Sequence, residues 1–374
     1  MIVYWSFLAL SLVLWYFSAK QDEHLLKGTS EDVYKIRIKN KHKTMLFLFF
    51  GVLTLFCGLR SGIADTGAYI NMYNQYPVGV ENIVWEDVSK DQGFYLLSVL
   101  FKTYISADYH SWLFVICLIS CIVTGMAVHR YSSDVGFSCF LFISTTMFTY
   151  LINGIRQYIC VSILFAISYC IEEKRFVKYL VFALLLSTVH FSAILMIPTY
   201  FLVRIRPWSA NTWIMIAAAV VLGVGFDSFL PAFESALSES NYSEYAEILA
   251  NGTGSSVFRL LIAAVPVVLS FICRERIIET EDRMIYVAAN MSIINMALYI
   301  VATFSSGMTI GRLTIYFDMY NIILIPWLVN NLSSRKESKL IKAVAIVAYI
   351  VFFYLQMVVT WGWPYMSDVL NIYV

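Results

Sequence analysis

The sequence predicts an all-α polytopic membrane protein, and three observations carry that reading. Hydrophobic residues fill 60 % of the 374 positions and charged residues only 14 %, against roughly 25 % charged in a soluble domain. The apolar residues gather in runs close to the ~20 residues a helix needs to cross the hydrocarbon core. Lysine and arginine are spread unevenly over the polar segments between those runs, as they are in loops sorted by membrane side. This composition excludes a soluble enzyme, a disordered protein and a nucleic-acid binder. A net charge of +1 leaves no global field to steer an anionic partner.

Taken in order, spans are expected near 2–19, 44–59, 111–128, 137–152, 157–171, 209–226, 257–273, 284–304, 313–330 and 343–361, about ten transmembrane helices in one integral membrane domain over 1–374. The first run has no positive segment before it and exceeds the length of a signal-peptide core, so it reads as a retained span. Gly93 to Ile105 is amphipathic and too short to cross, which makes it an interfacial helix. The seven cysteines (Cys57, Cys117, Cys121, Cys139, Cys160, Cys170 and Cys273) all lie in apolar segments, form no CxxC pair, and read as free buried thiols.

Loop charge sets the orientation. Segment 20–43 holds seven Lys or Arg, the turn 331–342 four, and the turns 172–178 and 274–283 three each. With Arg130, Arg204 and Arg206 they place 20 basic residues on one side, read as cytoplasmic, against six on the other. The outer loops are then 60–110 and 227–256. Arg204 and Arg206 stay inside only if 179–203 enters the membrane and returns. That segment is therefore expected to be a re-entrant helical pair with His190 near its tip.

The candidate site residues are the exceptions to the charge bias. Arg60, Arg156 and Arg312 stand at outer helix ends, and Arg259 just inside another. A cluster of guanidinium forks suits a lipid phosphate or diphosphate. Asp65, Thr66 and Tyr69 follow Arg60 in GLRSGIADTGAYINMYN, with Asp65 either a base, an orienter of Arg60 or the cap of the next helix. Gln157 follows Arg156 behind the Asn153–Gly154 break. Arg312 and Tyr316 are spaced i, i+4 on one face, while Asp318 points about 120° away toward a neighbouring helix. His190 is the one histidine deep in an apolar run, a candidate general base or a satisfied core residue. Trp361, Trp363 and Tyr365 suit an interfacial aromatic belt. No HExxH, acidic metal pair or GxSxG elbow occurs, so no metal site or cofactor is expected.

The order GLRSGIADTGAY, NGIRQ, EEKR, LLLSTVHFSAILMIP, GRLTIYF and a terminal Pro-Tyr resembles the EpsG-like branch of bacterial O-antigen (Wzy-type) and exopolysaccharide polymerases. The resemblance spans most of 44–330 and the tail. Arg60, Asp65, Thr66 and Tyr69 match the family's core after its second span, although Ile63 stands where a glycine precedes the Asp. Arg156 and Gln157 match its Arg-Gln pair, His190 with Ser192 its membrane histidine, and Arg312 with Tyr316 its R-x-x-x-Y element. Asp318 has no counterpart to carry over.

The resemblance implies a membrane glycosyltransferase of GT-C-like architecture in the bacterial inner membrane, its site facing the periplasm. It would polymerise polyprenyl-diphosphate-linked oligosaccharide repeats. Arg60, Thr66, Tyr69, Arg156, Gln157, Arg312 and Tyr316 would bind diphosphate and sugar, and His190 or Asp65 would be the base. Its implied partners are the lipid-linked glycan, a chain-length regulator and a flippase. The competing readings are a lipid-linked-oligosaccharide flippase or transporter, which usually carries charge along several spans and inverted repeats, and an O-antigen ligase sharing the same leaving-group site.

Overall fold

A computed structural model describes residues 1–26, 31–225, 254–305, 310–332 and 335–374. The protein is 78 % helical with almost no sheet. Most of the expected loop 227–256 lies outside the described residues.

The chain opens with α1 (Ile2–Leu26), α2 (Glu31–Gly58) and a short α3 (Thr66–Gln75). It continues through α4 (Gln92–Tyr104), α5 (Tyr109–Tyr131), α6 (Val135–Ser144) and α7 (Ile155–Ala166). Then follow α8 (Tyr169–Glu172), α9 (Phe176–Val189), α10 (Met196–Leu202) and α11 (Ala210–Val224). The described helices after the loop are α12 (Val257–Ile272), α13 (Arg274–Glu279), α14 (Arg283–Phe304), α15 (Ile310–Leu313), α16 (Ile315–Asp318), α17 (Asn321–Asn331) and α18 (Arg335–Tyr354). The tail forms a small antiparallel pair, β1 (Met366–Ser367) with β2 (Ile372–Tyr373).

Every expected span falls on apolar helix, but few are long and unbroken. Among the described residues, Tyr109–Tyr131, Arg283–Phe304 and Ser338–Trp361 meet the length and hydropathy of a crossing helix. The pair Ile310–Asp318 and Asn321–Asn331, bent by 51°, makes a fourth if counted as one span. The other apolar helical stretches, among them Ile2–Ser18 of α1 and His42–Gly58 of α2, run to 10–17 residues, so the expected count of about ten spans is not confirmed. The shortfall has local causes. Gly154, at φ +78°, adopts a backbone that favours glycine and ends the run before α7. His190 interrupts the segment 179–203, separating Phe176–Val189 from Phe191–Leu202. Pro266 lies inside α12 and Pro326 inside α17, each removing a helix hydrogen bond.

Contacts gather into two compact units. Unit 1 comprises Met1–Ala166, Thr188–His190 and Lys336–Val374; unit 2 comprises Ile167–Ser187 and Phe191–Arg335. In unit 1, α2 packs on α5, α5 on α7, and α1 on α6. Close approach is built on glycine: a Cβ at Gly58 would stand 3.0 Å from the Phe114 backbone, and one at Gly125 3.0 Å from the Phe50 ring. These two pairs also fix α2 and α5 as antiparallel. Aspartates cap α5 and α6. The Asp108 carboxylate accepts from His110 N at 3.2 Å and Ser111 N at 3.1 Å to cap α5, and Asp134 accepts from Phe137 N at 3.0 Å to cap α6. Asp134 also pairs with Lys342 Nζ at 2.7 Å.

In unit 2, α14 is the central helix, with α11, α12 and α15 to α17 packed on it. Of its crossing stretch 72 % is buried, against 22 % for Ser338–Trp361 in unit 1. All seven cysteines are buried free thiols.

Candidate active site

The site elements of unit 1 rest on an aromatic cluster. Tyr69 and Tyr73 of α3, Phe94 of α4, Trp112 and Leu113 of α5, and Ile155 of α7 pack together. The Tyr73 and Trp112 rings stack at 4.5 Å. Lys102, whose charge is an exception to the loop bias, completes the scaffold. Its ammonium donates to the carbonyls of Tyr73, Asn74 and Tyr76 at 2.8, 2.9 and 2.7 Å, closing the C-terminal end of α3. Burial holds the Lys102 ammonium below the ordinary lysine pKa.

Arg60 lies just beyond α2 and is fully enclosed. Its Nε donates to Thr66 Oγ1 at 2.9 Å, and Nη1 donates to the Cys57 carbonyl. Thr66 Oγ1 in turn donates to the Ile63 carbonyl, so the residues from 57 to 66 close into a loop on one guanidinium. Nη2 is buried without a hydrogen-bond partner. Among the described residues no carboxylate pairs with Arg60, an arrangement whose desolvation is costly. The tail fastens this loop: Ser61 N donates to the Met366 carbonyl at 2.9 Å, Tyr365 OH to the Phe56 carbonyl at 2.8 Å, and Ser367 Oγ to the Leu59 carbonyl. Tyr365 thus serves as a structural anchor.

Asp65 occupies the cap position of α3 but makes no side-chain cap bond. Tyr69, one turn on, is 6 % exposed. Burial raises its hydroxyl pKa, while the charges of Arg156 and Arg60 and the Ile155 backbone N–H pull it down and Asp65 pushes it up. Gln157 is buried on α7 beside Arg156.

Asp91 is the residue that sequence reasoning missed. It precedes α4 in the left-handed region, at φ +54°, and its carboxylate makes no cap bond to α4. Instead Oδ2 accepts from Arg156 Nη1 at 2.8 Å and lies 3.3 Å from His190 Nδ1. The side chain of Asp91 is 8 % exposed, that of Arg156 35 % and that of His190 23 %. The carboxylate faces inward and the two nitrogen groups face out. Nδ1 is the ring nitrogen turned to the carboxylate, which leaves Nε2 as the nitrogen turned away from it. Gly93 permits this approach, since a Cβ there would stand 2.2 Å from Thr188 Oγ1. The sequence signal was faint. Asp91 looks like an ordinary helix cap, and its partners lie 65 and 99 residues away.

Arg312 and Tyr316 belong to unit 2 and differ in setting. Arg312 is exposed on α15, whereas Tyr316 is buried and shares a 3.0 Å hydrogen bond with Ser192 Oγ. Asp318 meets a neighbouring helix as expected: Asn295 Nδ2 of α14 donates to its Oδ1 at 3.2 Å and Asn321 Nδ2 at 2.7 Å. These bonds, with the charge of Arg259 acting on it, make Asp318 a hydrogen-bonded structural acid.

The arrangement in unit 1 can grip an anion through the outward fork of Arg156 and hold a histidine ready for proton transfer. The model of the EpsG family matches residues 43–367. No curated protein and no solved structure matches the chain.

Proposed function

The chain belongs to the EpsG family, and on that footing we propose that it is a polysaccharide polymerase acting on polyprenyl-diphosphate-linked repeats at the outer face of the bacterial inner membrane. The acceptor sugar hydroxyl attacks the anomeric carbon of the donor glycan. The new glycosidic C–O bond forms as the C–O bond to the diphosphate breaks. His190 Nε2 takes the hydroxyl proton, and Asp91 holds the ring by its other nitrogen. Arg156 stabilises the charge growing on the diphosphate, a task for preorganised cations in a partly dehydrated site. In unit 2, Arg312 is the exposed candidate for binding phosphate, and Tyr316, bonded to Ser192, the candidate for binding sugar. Arg60 acts from within the wall, its buried charge reaching the ligand side through Tyr69, with Thr66 holding its loop. Asp65 is a second acid of the same rim and Gln157 a sugar donor on α7.

The observation that carries the reading is the Asp91-centred pairing of Arg156 and His190. Polysaccharide chain length and lipid-linked repeats are measured in cells carrying Arg156→Ala, His190→Gln, Asp91→Asn or Asp91→Glu at matched protein level. Arg156→Ala and His190→Gln are expected to abolish long chains and accumulate single lipid-linked repeats, since a positioned base is worth roughly 10²–10⁴-fold. Asp91→Asn loses roughly 10- to 1,000-fold, and Asp91→Glu recovers part of it. Normal chain length in His190→Gln and Arg156→Ala removes the proposal. Full-length chains that fail only to attach to their final acceptor indicate a ligase.

A further inference from the structure

A groove of unit 1 lies along the α2–α5 pair, toward the end remote from Arg60. It is a groove of about 670 Å³, within the range of small-ligand sites. Phe47, Phe50, Leu118 and Met126 line it, and Lys43, His129 and Arg130 stand at one end. Its floor is open at Gly51, where a Cβ would find no atom within 4 Å. Phe47 is 77 % and Met126 65 % exposed, so the groove is open along its side.

Its dimensions and charge define the occupant. Lys43 and Thr54 both line it, and at helical rise they are about 16 Å apart. That is close to half of the ~30 Å hydrocarbon core, the depth of one leaflet. The basic residues are at one end only, where a head group would meet water. Lys43 lies about 22 Å along α2 from Gly58 at helical rise, so these cations are separate from the Arg60 loop.

We propose that the α2–α5 groove binds an anionic phospholipid, one acyl chain lying over Gly51 between Phe47, Phe50, Leu118 and Met126 and the head-group phosphate held by Lys43, His129 and Arg130. This assignment is independent of the polymerase reading.

The test uses the full chain, purified and placed in nanodiscs of equal phosphatidylglycerol and phosphatidylcholine, with retained lipids counted by native mass spectrometry after detergent release. The wild type is expected to keep one phosphatidylglycerol in preference to phosphatidylcholine. A Lys43→Gln/Arg130→Gln pair is expected to cut that preference about tenfold. Gly51→Leu, which leaves every charge in place and fills the floor, is expected to lower retention of the bound lipid at unchanged thermal stability. Arg276→Gln, an exposed arginine on α13 of unit 2, is expected to change nothing. Equal retention of both lipids by the wild type, undiminished retention in Gly51→Leu, or a polyprenyl phosphate retained in place of phosphatidylglycerol each overturns the assignment.

Discussion

At the scale of single residues, Gly93 and Asp91 show how a site is set by what does not clash. Only hydrogen at Gly93 lets the start of α4 lie against Thr188, and so brings the Asp91 carboxylate to His190. Gly93→Ala should force the Thr188–His190 turn away, since the added carbon would also stand 3.0 Å from the Thr188 backbone. Overpacking of this kind costs about 1–3 kcal/mol. The expected result is a lower unfolding midpoint in detergent and shortened polysaccharide. Thr188→Ala should restore only part of either, because the backbone clash remains. Among the candidate site residues, Arg60, Arg156 and His190 stood out because charge or a lone imidazole among apolar residues is visible in any sequence, whereas Thr66 and Tyr69 were marked only by following Arg60 and by the family resemblance. Asp91 was not, because an acid before an amphipathic helix is what any helix start looks like. Its long-range partners carry no local mark. The fastening of the Arg60 loop was equally hidden, since the residues that tie it down come from the far end of the chain.

At the scale of elements, the apolar runs were legible and their interruptions mostly were not. In a bilayer every face of a helix can be apolar, so periodicity does not mark where a helix bends. The run 313–330 reads as continuous, yet the chain turns by 51° between Ile310–Asp318 and Asn321–Asn331. There Asn321 bonds back to Asp318 at 2.7 Å. The Gly154 turn was visible because glycine announces it. Helix starts depend on capping acids, and Asp108 permits a direct test. Burial alone would raise its pKa, but hydrogen bonds from His110 and Ser111 outweigh that and hold the carboxyl below the usual range. A depressed carboxyl stabilises the fold above the unfolded-state pKa of about 3.9 and loses that contribution as pH falls through the folded value. Asp108→Ala should cost about 1 kcal/mol near neutral pH. The difference from wild type, followed by thermal unfolding, should shrink on acidification below pH 4. A difference that is constant with pH would count against the cap.

At the scale of the whole molecule, orientation is the property on which the proposed chemistry depends. All seven cysteines are buried, so introduced cysteines report alone. Asn82 and Arg276 are both exposed, and the loop charges predict that they face opposite sides. Asn82→Cys should react with an impermeant maleimide in intact cells, and Arg276→Cys only after the membrane is opened. Labelling of both from outside would reverse or break the predicted topology. Unit 1 is assembled from early residues and from Lys336–Val374. The loop around Arg60 is tied down by Tyr365, Met366 and Ser367. A nascent chain therefore inserts α2 and the Arg60 loop long before the segment that locks them is made. The guanidinium can take its local bonds to Thr66 and Cys57 early, but the tail can fasten the loop around it only after residues 365–367 have been made, so the ribosome delivers the lock long after the part it holds.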